Sequence, residues 1–351
     1  MNTLNYIGSK KTLKNTIFKV CKDNIEDITE KSFADLFAGT GTIGFNVNIN
    51  EDLCKNVISN DIEFYSYIIN SALLESIYSN KLQKIINELN EIEDLIEGLI
   101  YKNFSNHDSC ERMFFTNKNA KKCDTIRIKL NELLSNNTIN KKEFNFLLAS
   151  LLVSIDKCAN TSSVYGAYLK KFKKSAIKDF ILKPIHKNKK YNPLNKVFNQ
   201  KIERLIEDKE FDIVYLDPPY NSRQYGGNYS PLNYIAHYDS SIELKGKTGL
   251  IKDYNKSIFC SKPKVKDAFE NLINNIKCNY LIISYNNEGI LSEKDLKNIL
   301  LKKGEVKLYK IKYNKFKAQK KVLIKYTTEY IWFVNVKRDK TYEEINLDLI
   351  K

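Results

Sequence analysis

An open, mostly parallel α/β sheet carrying a helical insertion is the architecture this sequence predicts, and three observations predict it. The first is a strand that stops abruptly. Phe211-Asp212-Ile213-Val214-Tyr215-Leu216 is β-branched, aromatic and too short for a helix, and it runs into Asp217-Pro218-Pro219-Tyr220. Neither proline can donate to a sheet ladder, so the chain must leave the sheet at Pro218. The second is a strand, glycine turn, helix, strand and acid in succession between residues 33 and 61, a βαβ unit. The third is a change of period: over residues 80–195 helical spacing replaces the βαβ rhythm. Together they divide the chain into a sheet domain, 1–79 with 196–351, and an insertion, 80–195.

The elements follow in order. Leu13, Ile17 and Val20 stand at helical spacing after a polar start. Phe33-Ala34-Asp35-Leu36-Phe37-Ala38 reads as a strand that enters Gly39-Thr40-Gly41-Thr42-Ile43-Gly44, with a helix from Ile43. Val57-Ile58-Ser59 is a second strand ending at Asn60-Asp61, and residues 62–78 read as helical. Within the insertion, Leu82, Ile85, Ile86, Leu89 and Ile92 mark an amphipathic helix. Residues 141–158 read as a buried one, and Phe180-Ile181-Leu182 as an extra strand. The sheet resumes at 211–216 and again at Tyr280-Leu281-Ile282-Ile283-Ser284, which ends in Tyr285-Asn286-Asn287. Residues 293–301 form a helix capped by Ser292, with Asp295 three residues on. Residues 306–313 and 322–336 are strands joined by a lysine-rich hairpin, Lys315, Lys317, Lys320 and Lys321.

Composition narrows the functional classes. The 351 residues, 42% of them hydrophobic, suffice for a large core. No apolar run approaches the roughly 20 residues of a membrane span, and the polar start argues against a signal peptide, so a cytoplasmic location is expected. The net charge of +15, from 57 basic and 42 acidic residues, favours a polyanionic partner. Only five of the basic residues are arginine, so the lysine excess has a second source in a Lys-, Asn- and Ile-rich composition. The seven cysteines are scattered without CxxC spacing, and the three histidines are dispersed. Neither disulfides nor a metal site is expected.

The glycine turn supports two ligands. Gly39 to Gly44 matches GxGxxG between a strand and a helix, with Asp61 where a ribose-binding acid belongs. A nicotinamide or flavin dinucleotide fits that pattern. So does a nucleoside without a pyrophosphate, and S-adenosylmethionine is one. The Asp217 corner separates the two readings. Hydride transfer has no use for it, whereas methylation of an amino group does. The exocyclic amine of a base has its lone pair spread into the ring. Acceptors around its hydrogens, here the Asp217 carboxylate and the Pro218 carbonyl, favour the tetrahedral, nucleophilic form. Tyr220 offers a flat face for the base. A base inside a duplex must flip out to reach such a pocket.

These motifs, in this order, resemble those of the Dam-like, alpha-class adenine-specific DNA methyltransferases of restriction–modification systems. The resemblance runs from Tyr6-Ile7-Gly8-Ser9-Lys10 through Asp35-Leu36-Phe37-Ala38-Gly39-Thr40-Gly41 and Asp61, across a target-recognition insertion, to Asp217-Pro218-Pro219-Tyr220. It implies a Rossmann-like methyltransferase sheet. It also implies S-adenosylmethionine bound by Tyr6, Lys10, Asp35, Phe37, Gly39, Gly41, Asp61 and Asp217, and catalysis at Asp217, Pro218 and Tyr220. The family's first motif usually carries tryptophan at the position of Tyr6. Where the family often has an acid before the last motif, this chain has Val197-Phe198-Asn199-Gln200-Lys201.

Double-stranded DNA is the expected partner, beside a possible restriction endonuclease acting on the same site. Lys170, Lys171, Lys173 and Lys174 form a dense basic run next to the stretch 160–170, and Arg223 follows the catalytic corner. All five are candidate DNA contacts. The 160–170 and 221–229 stretches mix donors, aromatics and glycine, as strand gripping requires. An RNA base methyltransferase and a non-catalytic nucleic-acid-binding regulator are the rival readings. The Tyr6–Lys10 motif and the insertion argue against the first, the complete Asp217 corner against the second.

Overall fold

The computed structural model describes residues 3–314 and 326–350. Lys315, Lys317, Lys320 and Lys321 of the expected hairpin lie outside the described residues. Within them the strands are β1 (Ser32–Asp35), β2 (Asn56–Asn60), β3 (Lys196–Phe198), β4 (Glu210–Leu216), β5 (Leu244–Lys245), β6 (Leu250–Ile251), β7 (Lys277–Asn286), β8 (Glu305–Asn314), β9 (Tyr326–Asn335) and β10 (Tyr342–Asn346). The α-helices are α1 (Lys14–Asn24), α2 (Thr42–Ile49), α3 (Phe64–Leu74), α4 (Asn80–Asn90), α5 (Leu99–Phe104), α6 (Asn117–Ser135), α7 (Lys141–Asp156), α8 (Ile202–Glu207), α9 (Tyr225–Asn228), α10 (Ser230–His237), α11 (Val265–Asn275) and α12 (Glu293–Leu300).

Eight strands form one sheet in the order β10-β8-β9-β7-β4-β1-β2-β3, and β5 and β6 make a separate hairpin. The five strands from β3 to β7 in that order are mutually parallel. β9 runs antiparallel to β7 and to β8. From β1 the chain proceeds outward to β2 and β3, whereas from β4 it proceeds the other way to β7. The reversal between β1 and β4 opens a crevice at their carboxyl ends, where open α/β sheets bind ligands.

The sheet is buried on both faces, as parallel sheets must be. In β4, Ile213 and Tyr215 enter one apolar cluster while Val214 and Leu216 enter the other. The first cluster lies under α1–α3 and continues without a break into α4, α6 and α7. The second lies under α8, α11 and α12. α7 opens with a full capping box, Asn140 with Glu143, and is buried from Phe144 to Asp156 because it packs against both α3 and α6. The insertion therefore shares its core with the sheet.

Three expectations change. Phe180-Ile181-Leu182 is not a strand. The Asn119 and Asn90 side chains take its backbone N–H groups at 3.0 and 2.8 Å, so side-chain amides replace a sheet ladder. β1 ends at Asp35 rather than Ala38 because the chain splits its allegiance at the crevice. The Leu36 N–H bonds β4 at Tyr215 O and the Ala38 N–H bonds β2 at Asn60 O. β10 was not anticipated, since its half-exposed residues give it no apolar signature. No helix among the described residues is long and apolar enough to cross a membrane.

Candidate active site

An N-terminal strap closes one side of the crevice. The Asn5 N–H donates to Asp156 Oδ2 (2.9 Å) and the Ile7 N–H to the Tyr229 hydroxyl (2.9 Å), while the Tyr225 hydroxyl donates to Ile7 O (3.2 Å). The Tyr6 ring stacks on Tyr229 with centroids 4.8 Å apart. It also lies against Tyr225, with centroids 5.3 Å apart, and against the glycine turn, where a Cβ on Gly39 would stand 3.0 Å from the Tyr6 ring. Burial pushes the Tyr6 phenol well above its ordinary pKa, so it is a neutral wall.

The turn itself is held by Asp61. Its Oδ2 accepts the Gly39 N–H and its Oδ1 the Glu63 N–H, each at 2.8 Å. Gly39 O accepts from Asn70 (3.1 Å) and from the Ser66 hydroxyl. Gly39 and Gly41 both have positive φ, +52° and +71°. Gly39 lines the cavity, but Gly41 is packed against α3, where a Cβ would meet Asn70 Oδ1 at 2.7 Å. The need for glycine at 41 thus comes from its left-handed φ and from its packing against α3.

Between the strap, the turn and the end of β4 lies a cavity of about 390 Å³. Tyr6, Lys10, Asp35, Phe37, Gly39, Asp61, Asp217, Pro218 and Tyr220 all line it. The Lys10 ammonium lies 2.7 and 2.8 Å from the two Asp217 oxygens and 3.1 Å from Gly8 O. Burial alone would lower the Lys10 pKa, but Asp217, through its charge and its hydrogen bonds, together with the nearby Tyr220 and Glu329, outweighs it and holds the lysine above its usual value. The corner is therefore an ion pair between a buried lysine and a half-buried aspartate, with Tyr220 edge-on to Tyr285 at 6.1 Å.

Acids dominate the cavity. Asp35, at the end of β1, is 1% exposed, and burial with the nearby Asp217 raises its pKa to about 8. Its Oδ1 has no hydrogen-bond partner among the described residues. Glu63 is also raised to about 8, by burial and by Asp61, and is bonded by Asn233 at 2.6 Å. A cationic ligand suits such a basin.

Several wall residues carried no signal in the sequence. Ile202 and the segment Lys256, Ser257, Ile258 and Phe259 reach the cavity only through folding, whereas Gln200 belongs to the stretch that stands where the family often has an acid. Phe259 packs edge-on against Phe37 at 5.2 Å. Gln224 pairs reciprocally with Ser257, which fixes this segment beside the corner.

The stretches 160–170 and 221–229 meet, through the Tyr165 N–H bonded to Asn228 O at 2.8 Å. Lys170, Lys171, Lys174 and Arg223 are exposed. Lys173 is half-buried and spends its ammonium on Thr161 O at 2.6 Å. Ser284 is interior, bonded to the Tyr215 hydroxyl at 2.8 Å.

A glycine turn after β1, an acid after β2 and an acid–proline corner after β4, all facing one crevice, define a Rossmann-like methyltransferase. The chain belongs to the D12 class N6 adenine-specific DNA methyltransferase family, whose profile matches residues 6–299. It is 40% identical to the type II methyltransferase M.NlaIII of Neisseria lactamica over 90% of this chain and 93% of that one. It is 39% identical to the type II methyltransferase M.CviAII of Paramecium bursaria Chlorella virus 1 over 96% and 100%. Against the type II methyltransferase M.FokI of Planomicrobium okeanokoites the identity is 37% over 94% of this chain, which spans about half (52%) of that longer protein. The protein is an adenine-specific DNA methyltransferase of the restriction–modification kind, and the family implies S-adenosylmethionine as methyl donor and DNA as substrate.

Proposed function

We propose that this methyltransferase acts on the N6 amino group of an adenine flipped out of duplex DNA, held by Asp217, the Pro218 carbonyl and Tyr220. The observation that carries the reading is the shared cavity. The acid–proline corner of β4 and the glycine turn of β1 face each other across the point where the strand order reverses.

The donor set suits S-adenosylmethionine. The buried Oδ1 of Asp35, without a partner among the described residues, is matched to its ammonium, Asp61 to its ribose hydroxyls, and Gly39 permits close backbone approach. Tyr6 and Phe37 supply apolar walls, Lys10 orients Asp217, and Gly41 acts by seating the turn on α3. When bound, the cofactor supplies an electrophilic methyl group. The protein's own work is on the amine. Asp217 and Pro218 O accept its hydrogens and draw its lone pair out of the ring, and Tyr220 stacks on the base.

Lys170, Lys171, Lys174 and Arg223 are the candidate phosphate contacts, with Lys173 bracing the loop that presents the three lysines. In this reading residues 80–195, together with the 221–229 stretch they meet, read the target, and 1–79 with 196–351 carry the chemistry in the alpha-class motif order. A cytoplasmic setting and a restriction endonuclease cutting the same site complete the proposal.

The test is transfer of a labelled methyl group to duplex DNA from a host lacking the protein, followed by identification of the modified base. Asp217→Ala is expected to cost about 10²-fold or more in rate while keeping cofactor affinity within a few-fold. Activity retained in that variant would remove the corner from the mechanism.

A further inference from the structure

Glu329 stands on β9 opposite Asn286, at the carboxyl end of β7, the strand next to β4. It is 9% exposed. The Asn286 side chain hydrogen-bonds its carboxylate, yet Oε2 is buried with no partner among the described residues. An unused buried carboxylate oxygen is costly, and such groups call for a reason.

Lys10 supplies one. Its ammonium is attracted by two carboxylates, Asp217 and Glu329. An ammonium has three donors, and Lys10 directs them at Asp217 Oδ1, Asp217 Oδ2 and Gly8 O. In that arrangement both oxygens of the residue that must hold the target amine are engaged by a cation. Releasing Lys10 without an alternative partner would strand a buried charge, at a cost no substrate contact easily repays.

We propose that Glu329 is a positioning residue: its free Oε2 takes over the Lys10 ammonium when the target amine engages Asp217. One cation and two carboxylates remain in the site throughout, so the exchange leaves its charge balance intact. The inference rests on the reading that Asp217 holds the amine. The charged and titratable groups facing Glu329 are Lys10, Asp217, Tyr215, Tyr220 and Glu288, while β8 presents Ile311 opposite it. Burial, opposed by Lys10 and reinforced by Asp217, holds the Glu329 pKa at about 6. Below that pH the residue is protonated and cannot receive a cation.

Glu329→Gln is nearly isosteric and keeps a partner for Asn286. The measurement is single-turnover methyl transfer to duplex DNA from pH 5 to 9, beside calorimetric S-adenosylmethionine affinity and the thermal midpoint. The expected result is a rate loss of about tenfold or more at pH 8 with affinity and midpoint nearly unchanged. The acid limb near pH 6 disappears in this variant, and Glu329→Asp recovers part of the rate. A wild-type rate and acid limb in Glu329→Gln would overturn the proposal. So would a rate loss matched by equal losses of cofactor affinity and stability, because that is the signature of a structural role. The underlying reading fails separately: full activity in Asp217→Ala would sink it, whereas an inactive Asp217→Ala beside a normal Glu329→Gln removes only the role of Glu329.

Discussion

Asp35 shows what one residue's surroundings can do to its chemistry. At the end of β1 it is almost wholly buried, and burial with the neighbouring Asp217 lifts its pKa to about 8. The sign of the consequence follows from linkage. Between its unfolded value, about 4, and 8, the native state holds a proton that the unfolded state has lost. Stability of the ligand-free protein therefore falls as pH rises through that window. A bound cation reverses the preference by favouring the carboxylate. S-adenosylmethionine affinity should thus rise by up to about tenfold per pH unit from pH 6 and level off above 8. Calorimetry across pH 6–9 measures the slope, and Asp35→Asn should flatten it while weakening binding. A slope unchanged in that variant would assign the titration to another group.

At the scale of elements, the glycine turn works because three segments agree on its shape. Asp61, after β2, takes the Gly39 N–H, Asn70 on α3 takes Gly39 O, and Tyr6 of the strap lies on the Gly39 Cα. Gly41 begins α2 with a left-handed φ of +71° and has no room for a Cβ. Gly41→Ala combines left-handed strain with overpacking against Asn70 and Leu73, for a cost of about 2–4 kcal/mol. Urea unfolding with an unchanged slope reads that cost directly. A loss below about 0.5 kcal/mol would mean the turn rearranges cheaply. The strap depends on the same economy of contacts. Tyr225 and Tyr229 each bond its backbone, so the segment that precedes the sheet in sequence is fastened by one that follows the acid–proline corner.

At the scale of the whole molecule, residues 80–195 and the sheet share one apolar core. α7 lies against α3, and a single apolar cluster runs from Ile17 on α1 through Phe33 on β1 to Leu148 on α7. Arg127 on α6 adds a polar tie, donating to the carbonyls of Ile235 and Ala236 at the end of α10. Calorimetry should therefore show one unfolding transition for the chain. Excision of residues 80–195 should leave a remainder that does not fold, since α3 would lose its cover. Two separate transitions, or a cooperative remainder, would show that the two parts are independent.

Local signals made much of this legible. β4 and its proline stop, the glycine turn, β2 with Asp61 and the Ser292 cap each depend on neighbours within a few residues. Period, β-branching, proline and glycine report such neighbours directly. The order of the motifs then located the ligand edge, because parallel strands put their carboxyl ends together. What lay beyond the sequence was contact between distant segments. Nothing near Lys10 reveals that its ammonium meets Asp217, 207 residues on. Nothing near Lys173 reveals that it braces Thr161 O instead of facing solvent. The amides that hold Phe180 and Leu182 are likewise supplied from α6 and α4. Glu329 reads as an ordinary acid in a strand until the sheet sets it beside the acid–proline corner. By itself the sequence determined the open α/β sheet, the edge at which its motifs meet and the family, because those are written in local pattern and order. Only the tertiary structure decided which charges are paired, which are buried without a partner and how far the insertion belongs to the core. Desolvation and ion pairing depend on what surrounds a group, and long-range folding supplies those surroundings.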